Sequence, residues 1–234
     1  EYLEERKKTL PSNFELYSEH GNFRDSRESI LDVFGKDDFV FFFIDPKGWK
    51  HVAPEVIRPF LQRKNSELLI TFMYNFVNRF PEHLEDVTGL TRDELDVLEP
   101  AERERKVLTS YRDQLKSEVD THEEIRTAYV RVKDPTDERT KYHLVYVTKH
   151  PKGIVTFMEE SEKAEKDEQP VLRAARAQRE SNQMSILDPS SASGEASRTP
   201  TEDLREVWLE ELSPTPKPFD EEDLADLLER TDCF

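Results

Sequence analysis

Two uninterrupted apolar runs dominate the pattern of this chain: FVFFFI at residues 39–44 and ELLITFMY at 67–74. Both are rich in aromatic and β-branched residues, and both have the length of a strand. A stretch that is apolar at every position predicts a strand covered on both faces, as in a parallel sheet. Between them, residues 52–61 carry Val56, Ile57, Phe60 and Leu61 at helical spacing, with Pro59 in the same stretch. A proline must sit early in that helix or kink it. Strand, helix and strand with short joins are the signature of parallel pairing. Upstream, residues 2–10 predict the end of a helix, 14–18 a strand, 19–22 a turn and 26–34 an amphipathic helix.

After the second run the pattern changes. Residues 81–98 predict short helices, and 101–118 a longer charged helix with Val107, Leu108, Tyr111 and Leu115 on one side. Residues 125–132 and 142–148 alternate apolar and polar side chains around a turn at 134–137, which predicts an antiparallel hairpin. A further helix follows at 154–166. The fold class is therefore α/β: a Rossmann-like sheet with a terminal antiparallel hairpin, spanning residues 1–168. Residues 169–200 turn to Ser, Pro, Asn and Gly and predict a disordered linker. Residues 201–234 predict an acidic helical tail, with Leu204, Val207, Trp208 and Leu212 as one stripe and Asp220 as the cap of a last helix at 221–230. That last helix is short enough to be the start of a winged-helix segment.

Charge changes this picture more than composition does. The net charge is −17, but residues 154–234 hold 21 acidic and 9 basic side chains, whereas residues 1–153 hold 30 and 25. The body is nearly balanced and the tail carries the excess, so charge gives no support to a nucleic-acid surface. The only cysteine, Cys233, excludes an internal disulfide or thiolate cluster and makes a reducing, cytoplasmic setting the default. No apolar stretch approaches the length of a membrane helix, about 20 residues. Both ends enter directly on helical patterns, which predicts a fragment of a longer chain.

Candidate chemistry gathers where the apolar runs stop. Asp45-Pro46 follows the first, at the carboxyl end of a strand, where open α/β sheets bind ligands. Asp45 reads as a ligand-facing carboxylate or as the cap of the loop or next helix. Trp49, just beyond Gly48, could stack on a bound substrate. After the second run come Asn75, Asn78 and Arg79; they read as substrate-binding groups, with Arg79 suited to a phosphate or carboxylate, or as a helix cap and a surface ion pair. The six histidines lack a metal-ligand spacing. Nucleophile elbow, P-loop and Gly-x-Gly-x-x-Gly patterns are all absent.

Several of these segments together resemble one family. They are Ile44-Asp45-Pro46-Lys47-Gly48, the block Leu69-Ile-Thr-Phe-Met-Tyr-Asn-Phe-Val-Asn-Arg-Phe80, residues 111–115, and Tyr142-His-Leu-Val-Tyr-Val-Thr-Lys-His-Pro-Lys-Gly153. The chain is similar over residues 14–160 to the three-Cys-motif partner proteins (TcmP), whose partner is a three-cysteine protein encoded nearby. The resemblance implies a class I methyltransferase-like fold and, in a full-length parent, S-adenosylmethionine as cofactor. It aligns this chain with strands three to seven of such a sheet, so tight cofactor binding by residues 1–234 is not expected. Asp45 then has a catalytic and cofactor-facing role, Asn22 a cofactor contact after the third strand, and Trp49, Asn75, Asn78 and Arg79 an acceptor pocket. Lys47 stands where the family has an aromatic residue. The alternative is a non-catalytic Rossmann-like scaffold that docks the three-cysteine partner, in a mobile-element or defence locus.

Overall fold

The computed structural model describes residues 11, 13–119, 124–134, 140–183, 209 and 218–232, with the side chains of 77, 78 and 168–183 outside the description. They form two units, residues 1–35 and 36–234. In the first, a turn at residues 23–25 leads into helix α1 (Arg27–Asp32), and no residue of that helix is buried. The strand expected at 14–18 is absent; these residues run without regular structure. Phe14 and Tyr17 are exposed, and among the described residues no strand pairs with this segment.

The second unit is built on a four-stranded mixed sheet of order β1-β2-β4-β3. Strand β1 (Val40–Ile44) crosses through helix α2 (Pro54–Leu61) to β2 (Ser66–Phe72), and the two strands are parallel. Short helices α3 (Phe76–Arg79), α4 (Leu84–Thr88) and α5 (Arg92–Asp96) lead to α6 (Pro100–Ser117). Strand β4 (Thr140–Thr148) then inserts antiparallel between β2 and β3 (Arg126–Lys133). Helix α7 runs Pro151–Gln183 and α8 Glu221–Thr231. The parallel pair and the antiparallel hairpin thus stand as expected.

The physical surprise is β1. Its burial alternates: Val40, Phe42 and Ile44 are buried while Phe41 and Phe43 are exposed. The expected central strand, covered on both faces, is covered on one and stands, among the described strands, at the edge of the sheet. Composition at a two-residue period cannot report this, because every position of the run is apolar and neither face is marked polar.

Each face of the sheet has its own core. On one, Leu68, Ile70 and Phe72 of β2 meet Val56, Ile57, Phe60 and Leu61 of α2 and Val107, Leu108, Tyr111 and Leu115 of α6, all essentially fully buried. Phe42 meets Phe60 edge-on, ring centroids 4.8 Å apart. Pro54 occupies the first turn of α2, where its missing N–H costs nothing, and Pro59 lies near the helix end. On the other face, Ala128 and Tyr146 pack with Ile154 and Met158 of α7 and Ala225 and Leu228 of α8. Gly153 permits this approach: a Cβ there would lie 2.7 Å from Thr148 Oγ1 and 2.9 Å from the Tyr146 hydroxyl.

Two expectations about the tail change. Helix α7 continues to Gln183, beyond residue 168, where a linker was expected to begin. Helix α8, expected as part of a separate tail or the start of a winged helix, packs on α7 and β3 within the second unit. Asp220 caps it as expected, accepting from the N–H groups of Glu222 and Asp223. Residues 184–208 and 210–217, including the Trp208 stripe, lie outside the described residues.

Buried arginines hold α8 down. The Arg112 guanidinium on α6 donates to both carboxylate oxygens of Asp232 at 2.7 and 2.8 Å, to Thr127 Oγ1 and carbonyl, and to the Glu229 carbonyl. Arg126 is met by Glu222 and Asp226, with Glu124 3.3 Å away, and Lys116 pairs with Glu229 at 2.5 Å. The acidic face of α8 is therefore a counter-charge for two arginines in the body. Burial pushes the Asp232 carboxyl up to about 6 although the Arg112 charge pulls it down. The folded state thus binds this proton more readily than the unfolded one, and the group's contribution to stability falls as pH rises toward that value.

Arg112→Ala is expected to destabilise the unit by about 3–5 kcal/mol, because it strands a buried carboxylate and two carbonyls. Arg112→Lys should recover only part of this, since an ammonium cannot reproduce the fork. Urea denaturation followed by circular dichroism measures both.

Candidate functional site at the carboxyl edge of the parallel strands

Parallel pairing of β1 and β2 brings their carboxyl ends to one edge, with Ile44 in register with Ile70. Asp45 is the first residue beyond β1 and is exposed; no hydrogen bond or ion pair holds it among the described residues. It does not cap α2, whose N-cap is Ala53. The backbone then passes through Gly48 into a single helical turn, Trp49–His51.

Trp49 turns inward. It is 1% exposed, stacked on Phe72 with centroids 5.5 Å apart, and its indole N–H donates to the Met73 carbonyl at 3.0 Å. Its faces are spent on the core, which leaves no ring for the substrate stacking expected of it. Its role is to tie the loop bearing Asp45 to the loop bearing Asn75. Phe72 stacks in turn on Tyr111 at 4.5 Å, and the Tyr111 hydroxyl donates to the Val52 carbonyl at 2.8 Å. The two loops and α6 are thus anchored to one aromatic stack.

Asn75 is exposed at the start of α3, and its side chain makes no cap bond. Arg79 is exposed in the same helix, and no ion pair is formed by it among the described contacts. The side chain of Asn78 lies outside the described residues. Asn22 belongs to the first unit, where its Oδ1 accepts from the Arg24 N–H at 2.9 Å.

A second polar group lies on the same edge, one strand further along. His143 of β4 stands opposite Phe72, the last residue of β2, and is fully buried. Its Nε2 is 2.9 Å from Glu104 Oε1 of α6, a pair close in distance but out of line for a hydrogen bond, and its Nδ1 has no partner. Glu104 also accepts from the Thr140 hydroxyl at 2.9 Å, and Arg131 is 3.9 Å away. Burial raises the Glu104 carboxyl, but the close approach of His143, the Thr140 hydrogen bond and the Arg131 charge outweigh it and hold the group below its usual range. Half-buried Tyr74 lies beside this cluster; burial pushes its phenol up, against the pull of Arg103.

Arg112 and His143 were missed in the sequence, yet both carry a signal. Arg112 falls between Leu108, Tyr111 and Leu115 on the apolar side of its helix, and His143 shares a strand face with Val145 and Val147. A polar side chain in register with a buried face needs a buried partner. Chemically, the edge offers an open carboxylate and amide at Asp45 and Asn75, suited to binding a hydrogen-bond donor. Glu124, Glu222 and Asp226 also lie together, but around Arg126, which pairs with all three.

Asp45→Ala, Asn75→Ala and Arg79→Ala are each expected to change stability by no more than about 0.5 kcal/mol, as exposed positions do. Trp49→Ala should cost about 3–5 kcal/mol. Glu104→Gln should destabilise the protein at neutral pH. Because the folded-state carboxyl is held low, its stabilisation is present above the ordinary carboxylate range and is lost as pH falls through the folded value. The difference between wild type and Glu104→Gln should therefore shrink on acidification; a difference constant with pH would show that the carboxylate charge is irrelevant.

Among the described residues no helix is long and apolar enough to cross a membrane. No family model matches the chain, and neither a curated protein nor a solved structure matches it.

Proposed function

We propose that residues 36–234 form the acceptor-side half of a class I methyltransferase-like sheet of the three-Cys-motif partner type, acting with a three-cysteine protein encoded nearby. The observation that carries this reading is the strand order. Two parallel strands followed by an antiparallel strand inserted inside a terminal hairpin is the arrangement that the resemblance implies for strands four to seven. Asp45 supports it from the first of those strands: an unpartnered, exposed carboxylate at the carboxyl end, in the position the resemblance gives to the group that receives the acceptor amine. Asn75 and Arg79 stand beyond the neighbouring strand as acceptor-binding groups. S-adenosylmethionine is the cofactor on this reading, in a full-length parent.

The alternative, a scaffold that docks the three-cysteine protein without catalysis, is favoured by one observation. His143, which stands opposite the last residue of β2 at this edge, is fully buried and cannot meet an acceptor.

Methyl transfer from radiolabelled S-adenosylmethionine, by a full-length parent with its three-cysteine partner, tests the proposal. Transfer is expected, with Asp45→Ala reducing it by about 10²-fold or more, the size of a positioned acid–base or orienting contribution, at unchanged thermal midpoint. Partner binding without transfer would select the scaffold, and neither binding nor transfer would remove both. Residues 1–234 alone are expected to show no saturable binding of S-adenosylmethionine at micromolar concentration in a calorimetric titration.

A further inference from the structure

Helix α8 touches both faces of the sheet around one strand, β3, which stands at the end of the described sheet. On the face covered by α7, its Ala225 and Leu228 pack with Ala128. Its last turn then closes over the strand itself. Glu229 accepts from the Thr127 N–H at 2.8 Å, and Asp232 meets Arg112 of α6 on the opposite face. Asp232 ends the helix with a left-handed backbone, φ 50°, a conformation that aspartate tolerates better than most residues.

From Arg112 a packed series leads to the carboxyl end of β2. Glu104, Leu108 and Arg112 are spaced i, i+4 and i+8 and form one stripe of α6. Thr127, Tyr129 and Arg131 alternate along β3 and share the face beneath that stripe. Arg112 donates to the Thr127 hydroxyl at 2.9 Å and lies over the Tyr129 ring, 5.5 Å from its centroid. Tyr129 meets the His143 ring edge-on, with centroids 5.6 Å apart. His143 is 2.9 Å from Glu104, and Arg131 is 3.9 Å from it. Burial raises the Tyr129 phenol, and the charges acting on it come from both ends of the series: Asp232 and Arg112 at one, Arg131 and Glu104 at the other.

We propose that α8 is a clasp whose seating is coupled to the carboxyl edge, through Arg112, Tyr129 and His143, as far as Glu104, about 12 Å away along α6. The clasp is the element built to move. It has 11 residues, three of them buried and apolar, and residues 184–220 join it to α7. A small element of this kind opens at a lower cost than the whole fold. When it leaves, Arg112 loses Asp232 and the Glu229 carbonyl together, and the guanidinium over Tyr129 is no longer held. Tyr129 and His143 are packed between the two charge clusters, so a change in one moves the rings that face the other. Coupling is reciprocal: whatever draws α8 off the sheet loosens the Glu104 pair, and disturbing Glu104 loosens α8. The rival route, direct interaction between the two carboxylates, needs no Tyr129 and is screened over about 8 Å at physiological salt. This inference goes beyond the methyltransferase-like reading and does not depend on it.

Double-mutant cycles on residues 1–234, followed by urea denaturation at neutral pH, test it. Asp232→Asn removes the charge while keeping the shape and the left-handed backbone. Its effect on the unfolding constant and that of Glu104→Gln should combine non-additively by about tenfold, whereas unconnected sites combine within about twofold. In a Tyr129→Leu background the coupling should vanish. Asp226→Asn, which meets the body through Arg126, should combine additively with Glu104→Gln. Should Tyr129→Leu lose its fold, hydrogen exchange decides: Glu104→Gln should speed exchange of the α8 amides about fivefold or more beyond its effect on the α2 amides. Additive effects of Asp232→Asn and Glu104→Gln, coupling that survives Tyr129→Leu, equal coupling at Asp226, or exchange in α8 that rises no more than in α2 would each overturn the inference.

Discussion

The stack of Trp49, Phe72 and Tyr111 is the constraint on which the described edge of the sheet depends. Phe72 ends β2 and is sandwiched between the loop after β1 and the middle of α6. Each outer ring also makes one long-range hydrogen bond, Trp49 to Met73 and Tyr111 to Val52. Stacked pairs add about 0.5–1.5 kcal/mol beyond the area they bury. Their geometric effect is larger than that figure suggests. They bind two loops that carry exposed polar groups to a rigid interior, so Asp45 and Asn75 can stay open to solvent while the backbone beneath them is held. A polar site on a scaffolded loop is the usual compromise between accessibility and order.

Charge plays a different part on the far side of the molecule. The acidic excess of the C-terminal region is not simply a solubilising tail. Arg112 and Arg126, nearly fully buried, need anions, and the carboxylates of α8 supply them. Removing one partner from such a set is far costlier than the set is stabilising, because desolvation has already been met by the pairing. The helix is therefore tied to the sheet through specific residues as well as through Ala225 and Leu228, and the sheet's second face is closed where it would otherwise expose Ala128 and Tyr146.

The two faces of the sheet are treated unequally. Helices α2 and α6 cover the first, while α7 and α8 cover the second over the hairpin and as far as Leu69 of β2. This asymmetry leaves the phenylalanines of β1 uncovered on one side, where the edge carries no charge to discourage association. The same strand ends in Asp45, so the candidate site lies at its carboxyl end.

Much of this was legible in the chain. Apolar runs, helical spacing and the alternation at 125–148 determine strands β1 to β4 and helices α2 and α6 within a few residues, because local periodicity is set by the same side chains that make the core. Asp45 was legible as an exposed group because a charge that ends an apolar run must leave the interior. Other features were decided only in three dimensions. Whether β1 lies inside the sheet or at its edge depends on what flanks it, and a uniformly apolar run carries no mark of that. Trp49 and His143 are a stacked core ring and a buried partner of Glu104 because of residues 23 and 39 positions away, and Arg112 is an anchor because Asp232 arrives 120 positions later. The sequence by itself determined the elements and the chemistry available at their ends. The tertiary structure decided which polar groups are spent on holding the fold and which remain free, since pairing across that distance is a property of the packed chain and not of any local segment.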